Sequence, residues 1–170
     1  NQLNHGHTTY KILLFSSEMR LFSKADIPAV GHMFEALCHQ PFRRLVPQSA
    51  EVKFFGAGGG TIIQSDYQGS LKEKLKSLAV DLSVETTKVV DDPDQLGPSG
   101  DAGLDWVAWV PFGDSCNHQP VFFAQCACGS NWADKQHETS LEHWYNLLHL
   151  NQSIQCIHFM PRSFRRKSYQ

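Results

Sequence analysis

Two short apolar runs, Trp106–Trp109 and Val121–Cys126, constrain this chain more than any other feature of it. Both are strand-length and dominated by aromatic, β-branched and small residues, the pattern of buried β-strands. Gly100-Asp101-Ala102-Gly103-Leu104-Asp105 makes a tight glycine turn into the first run, and a polar loop returns the chain to the second. If the strands pair as a hairpin, Asp105 at the head of one comes to the same place on the sheet as Gln125 near the end of the other. Apolar strands do not need an acid and an amide there for stability. Two hard oxygen donors on a rigid frame point instead to a divalent-metal site.

The chain has 170 residues, 41% of them hydrophobic and 19% charged, which suits one globular domain with a proper core. A formal net charge of -2 excludes an overall basic signature, so any nucleic-acid contact must come from a local patch. No apolar run approaches the roughly 18 residues of a membrane helix, and no signal-peptide pattern follows the polar N-terminus. Five scattered cysteines, an odd number, argue against a secreted disulfide framework and for a reducing, cytoplasmic setting. Three regions are expected: an N-terminal segment 1–22, read as the end of an upstream region; a domain over 23–161; and a basic tail, 162–170.

Tyr10–Phe15 is apolar enough for a strand or the start of a helix. Over Ser23–Gln40 the spacing predicts an amphipathic helix, with Ser23 or Asp26 as cap, Pro28 in the first turn, and a stop before Pro41. Glu35 lies beside its apolar stripe. Phe42–Val52 reads as loop with a short helical piece. Gly56–Thr61 is glycine-rich but lacks the Gly-Lys-Ser/Thr ending of a phosphate loop, and reads as a flexible loop. A short strand is expected over Thr61–Ile63. Leu71–Leu82 is a regular helix, with Leu71, Leu75, Leu78, Ala79 and Leu82 on one face and Lys72, Lys74 and Lys76 on the rest. Val84–Val90 suits a strand, Asp91–Gly100 a loop, and Trp132–Leu150 a helix in two pieces with Leu141, Trp144, Tyr145 and Leu148 inward. Ile154–Met160 is another strand. The resulting class is α/β, with a central mixed sheet of four or five strands flanked by helices.

Hydrolysis of a phosphodiester with Mg²⁺ calls for oxygen ligands and for a group that orients water. Asp105, Gln125 and Glu35 are candidates for the oxygens. At these residues the sequence resembles the PD-(D/E)XK nuclease superfamily, and within it the Mrr-like restriction endonucleases. Phe34-Glu35-Ala36-Leu37 looks like the family's first-helix Phe-Glu-x-Leu. Gly100–Asp105 looks like its Gly-Asp-x-Gly-hydrophobic-Asp turn and strand, and Gln125-Cys126-Ala127 like its Gln-x-Lys. The resemblance implies a restriction-endonuclease-like fold and a Mg²⁺-dependent deoxyribonuclease (Mn²⁺ substituting) acting in restriction or phage defence. It implies that Asp105, Gln125 and the Cys126 backbone carbonyl bind metal, with Glu35 holding a metal-bound water. The family's lysine is replaced by Ala127, and Lys135 on the following segment is the expected relocated lysine. Asp101 is read as a turn former, the alternative being an acid that supports Asp105. DNA is the expected partner, with a recognition or regulatory domain outside these residues and a homodimer for two-strand cutting; no membrane association is expected.

Two further classes compete. The chain can be a catalytically inactive nuclease fold that binds nucleic acid or a protein partner, or an unrelated α/β scaffold. Zinc at Cys126, Cys128, Cys116, His118, Cys156 and His158 fits poorly, because the spacings miss the usual two-residue gaps. Buried structural cysteines are the better reading of these thiols.

Overall fold

The hairpin that the two apolar runs predict forms the centre of a four-stranded sheet. The computed structural model describes residues 2–56, 62–96, 100–114, 118–129 and 140–161. Strand β1 is Glu51–Phe54, β2 is Trp106–Trp109, β3 is Val121–Cys126 and β4 is Gln155–Phe159. Their spatial order is β1-β2-β3-β4. The first three are successively antiparallel, with Trp106 opposite Phe54 on one side and opposite Ala124 on the other. β4 runs parallel to β3, so the sheet is mixed. Helix α1 (Gln2–Ser17) packs along α2 (Ile27–Leu45); α3 (Leu71–Asp81) and the one-turn α4 (Pro93–Leu96) fall between β1 and β2, and α5 (Leu141–Leu147) joins β3 to β4.

Side-chain alternation along the strands divides the core into two. Phe54, Trp106, Ala108, Ala124 and Cys126 face α2, where they meet Val30, Phe34, Cys38 and Phe42 at every fourth position of that helix. Phe55, Val107, Trp109, Val121 and Phe123 face the other way, onto Leu75, Leu78 and Ala79 of α3 and Trp144 and Leu147 of α5. The two cores explain why β2 reads as a continuous apolar run: it is buried on both faces. Among the described residues no helix is long and apolar enough to cross a membrane.

Several elements depart from the sequence reading. Tyr10–Phe15 lies within α1, a helix rather than a strand. α2 passes through Pro41 and ends at Leu45; the proline itself is exposed, while the adjacent Phe42 is fully buried and its carbonyl accepts the Val46 N–H at 3.3 Å. Burial of Phe42 and Val46 offsets the hydrogen bond a proline cannot donate. Glu51 and Val52, the end of the segment expected as loop, instead open an edge strand, Glu51–Phe54, whose outer side is closed by Asp66: its N–H donates to the Phe54 carbonyl at 2.9 Å, and its carboxylate accepts the Phe54 N–H at 2.6 Å. Val84–Val90 makes a single bridge, Thr86 to Leu148, and then a 3-10 turn rather than a sheet strand. Ile62 and Ile63 are outside any strand. In α5 the buried residues are Trp144 and Leu147, with Leu148 just beyond, whereas Leu141 and Tyr145 are exposed. Lys74, placed by the sequence on the solvated side of α3, is buried.

α3 begins with a capping box. The Ser70 hydroxyl accepts the Glu73 N–H, and the Glu73 carboxylate accepts the Ser70 N–H at 2.7 Å. These bonds from the Ser70 backbone and side chain hold the Glu73 carboxyl below its ordinary value. Ser70→Ala is expected to cost about 1 kcal/mol in a denaturant titration. Because the folded pKa of Glu73 is the lower one, the stabilisation is complete above the unfolded carboxyl value and is lost as pH falls through the folded one. Only the Ser70 hydroxyl's bond to the Glu73 carboxylate is both removed by Ser70→Ala and weakened by acid, so the gap between the two unfolding midpoints is expected to narrow in acid without closing.

Candidate functional site

Asp105 lies where three strands meet at one end of the sheet. Its carbonyl accepts the N–H groups of Phe55 at 2.7 Å and Gly56 at 3.3 Å, at the exit of β1, and its own N–H donates to the Ala124 carbonyl at 3.0 Å. Its carboxylate crosses to β3, where Oδ2 accepts the Cys126 N–H at 2.6 Å. The residue is 8% exposed, so this charged acceptor is largely withdrawn from water and needs such a donor. The turn that delivers it is shaped by Asp101: Oδ1 accepts the Gly103 N–H at 2.9 Å, and the Asp101 carbonyl accepts the Leu104 N–H at 3.0 Å. Ala102 and Gly103 both adopt positive φ within that turn, at 50° and 74°, a backbone that favours glycine at the second position.

Glu35 approaches the same end from α2. It is half-buried, and its carbonyl accepts the indole N–H of Trp106 at 3.0 Å, which ties α2 to the residue that follows Asp105. The Trp106 ring also stacks on His39, with centroids 4.7 Å apart. The Cys126 thiol, enclosed on this face, reports both acids. Its pKa is raised well above the usual thiol value first by burial, then by a hydrogen bond with Cys38, then by the negative charges of Asp105 and, more weakly, Glu35. The charges of Asp105 and Glu35 are thus both felt at Cys126.

Gln125 is 1% exposed and sits beside His158 in the β3–β4 register. Alternation turns it to the α3 face, opposite the face of Cys126 and Glu35. The candidate oxygens therefore flank the Asp105 end of the sheet from both sides rather than lining one face. Ala127, two residues on, follows Gln125 in this alternation, and its N–H donates to the Phe159 carbonyl at 2.9 Å. Lys135 and Cys116 lie outside the described residues.

No family model, curated protein or solved structure matches the chain. The chemistry of the site rests on its own geometry.

Among the described residues no three His, Cys, Asp or Glu side chains are grouped to hold an ion. A closed zinc site built from Cys126, Cys128, Cys156 and His158 has no support there, since structural zinc takes four such ligands. The thiols of Cys38, Cys126 and Cys128 instead belong to the apolar core on the α2 face. A hard cation such as Mg²⁺ is different, because it keeps most of its water and is held through one or two carboxylates plus substrate oxygens. Asp105 and Glu35 are carboxylates of the kind that smaller requirement calls for.

The sequence reading missed Lys74. The ammonium of this residue, 3% exposed, donates to the Phe55 carbonyl at 3.1 Å and the Gly56 carbonyl at 2.5 Å. Those are the two residues whose N–H groups hold the Asp105 carbonyl. A signal was present: Lys74 stands three residues after Leu71 and four before Leu78, on the apolar stripe of α3.

The Asp105–Cys126 bond makes a direct prediction. Asp105→Asn retains a side-chain oxygen for the Cys126 N–H and is expected to melt close to wild type. Asp105→Ala leaves that buried donor unsatisfied and is expected to lose about 1–3 kcal/mol in chemical denaturation.

Proposed function

We propose that this protein is a metal-dependent endonuclease that hydrolyses phosphodiester bonds in DNA, with its centre at the Asp105 end of the sheet. The observation that carries the reading is the buried Asp105 carboxylate at the strand head, held by the Cys126 N–H, with the Glu35 main chain tied by the Trp106 indole to the residue that follows it. The mixed sheet with helices on both faces agrees with what the resemblance to PD-(D/E)XK nucleases implies, and the finer, restriction-endonuclease-like assignment belongs to this proposal. DNA as substrate and a role in restriction or phage defence follow from the same resemblance.

Mg²⁺ would be held by the carboxylates of Asp105 and Glu35, with the Cys126 carbonyl as a further oxygen donor, and would supply Lewis acidity toward a phosphoryl oxygen; Gln125, turned to the α3 face, stands apart from that set. The chain's own residues do the rest of the work. The Cys126 N–H fixes the rotamer of Asp105, so the carboxylate is oriented before substrate arrives. The Trp106 indole fixes the Glu35 backbone, which limits how far α2 can carry Glu35 from the sheet. Lys135 is the proposed group that orients the attacking water.

A second reading, a nuclease fold that binds without cutting, draws on two observations. Ala127 supplies no ammonium, and the Asp105 carboxylate already has a structural task in holding β3.

Plasmid and linear DNA incubated with Mg²⁺ or Mn²⁺ distinguish the two. Metal-dependent cleavage is expected, reduced about a hundredfold or more in Asp105→Asn and Glu35→Gln. Cleavage that survives chelation, or that Asp105→Asn leaves intact, overturns the proposal. DNA retained in a gel shift with no cutting under any metal supports the binding module instead.

A further inference from the structure

A buried ammonium held only by carbonyls is an expensive way to build a helix–sheet contact. The core on this face is otherwise apolar, and among the described residues no carboxylate comes within ion-pair distance of Lys74. Its neighbours on α3 behave differently: Lys72 and Lys76 share Asp91 at the surface, at 2.9 and 3.1 Å. Burial pushes the Lys74 pKa below the ordinary lysine value, with the charge of Asp101 acting in the opposite sense. A methionine would fill the same volume without that penalty.

The position of Lys74 gives the charge a use. It enters from α3, on the face of the sheet that Gln125 and Ala127 take by alternation. It grips Phe55 and Gly56, one hydrogen bond from Asp105. Phosphodiester hydrolysis builds negative charge on the phosphoryl oxygens, and a fixed cation in a water-poor setting stabilises that charge strongly. We propose that Lys74 is the resident cation of the candidate site, acting through space on the face where Ala127 brings no charge, and positioning Asp105 through the Phe55–Gly56 clamp. The inference rests on the nuclease reading of the site. It gives Lys74 a task separate from the water-orienting one proposed for Lys135, that of a fixed positive charge on which the rate depends.

The test compares the wild type with Lys74→Gln, Lys74→Met and Asp105→Asn. Lys74→Gln removes the charge and keeps an N–H donor, on a side chain one atom shorter, whereas Lys74→Met removes charge and donor together. Three quantities are read for each: the single-turnover cleavage rate with Mg²⁺, the affinity for Mn²⁺ alone by titration calorimetry, and the melting temperature without metal. For Lys74→Gln the expected result is a cleavage rate lowered about a hundredfold, with Mn²⁺ affinity unchanged or tighter, since a like charge has been removed from near the cation.

A role confined to the scaffold gives another pattern: rate, Mn²⁺ affinity and melting temperature fall together in both Lys74 variants. That result overturns the proposal, as does wild-type cutting by Lys74→Gln. If Asp105→Asn is inactive in the same series, the nuclease reading survives and only Lys74 is misassigned. A wild type that neither cuts nor binds Mn²⁺ removes the nuclease reading and this inference with it.

Discussion

The carboxylate of Asp105, closed onto the Cys126 N–H, sets the register on which the rest of the molecule depends. A one-residue slip between β2 and β3 would exchange the faces of every side chain in the hairpin. It would also strand a buried carboxylate without its donor, a penalty larger than a typical core contact. With the register fixed, Trp106, Ala108, Ala124 and Cys126 must turn to α2, while Val107, Trp109, Val121 and Phe123 must turn to α3 and α5. The two cores are therefore consequences of one polar bond at the mouth of an apolar hairpin.

The same end of the sheet gathers the polar groups that the cores exclude. Phe55 and Gly56 bind the Asp105 main chain from one side, and Lys74 binds their carbonyls from α3. Trp106 ties the Glu35 backbone from the other side. Gly56 is suited to this crossing for a steric reason: a Cβ there would fall 2.2 Å from the Phe54 ring. These contacts hold the two acids on a frame of main-chain hydrogen bonds, the kind of support that keeps a site in one geometry.

What could be read in the sequence was what depends on local spacing. The two central strands, the apolar stripe of α3, the start of α2 and the turn-forming part of Asp101 all follow from residue type and period. β1 could not be read so, because Glu51-Val52-Lys53-Phe54 is short and weakly alternating, and becomes a strand only when β2 and Asp66 take its hydrogen bonds. Pro41 signalled a helix end that the burial of Phe42 overrides. Lys74 was legible in position but not in burial, since a lysine between leucines is ordinarily a solvated stem. The approach of Glu35 to Asp105 lay beyond reach for another reason. It depends on how α2 crosses the sheet, fixed by the Trp106–Glu35 bond between residues 71 apart in sequence.

The parallel pairing of β4 with β3 has a consequence for how the chain acquires its shape. Antiparallel β2 and β3 can meet across a short loop, but β4 is separated from β3 by α5 and closes only when residues near 155 arrive. Until then the hairpin carries a bare, apolar edge along Phe122–Cys126. Such an edge recruits other strands during slow non-local assembly. A chain made vectorially thus passes through a stage in which a strand destined for the core is its most adhesive one, and among the described strands it is β4 that ends that exposure.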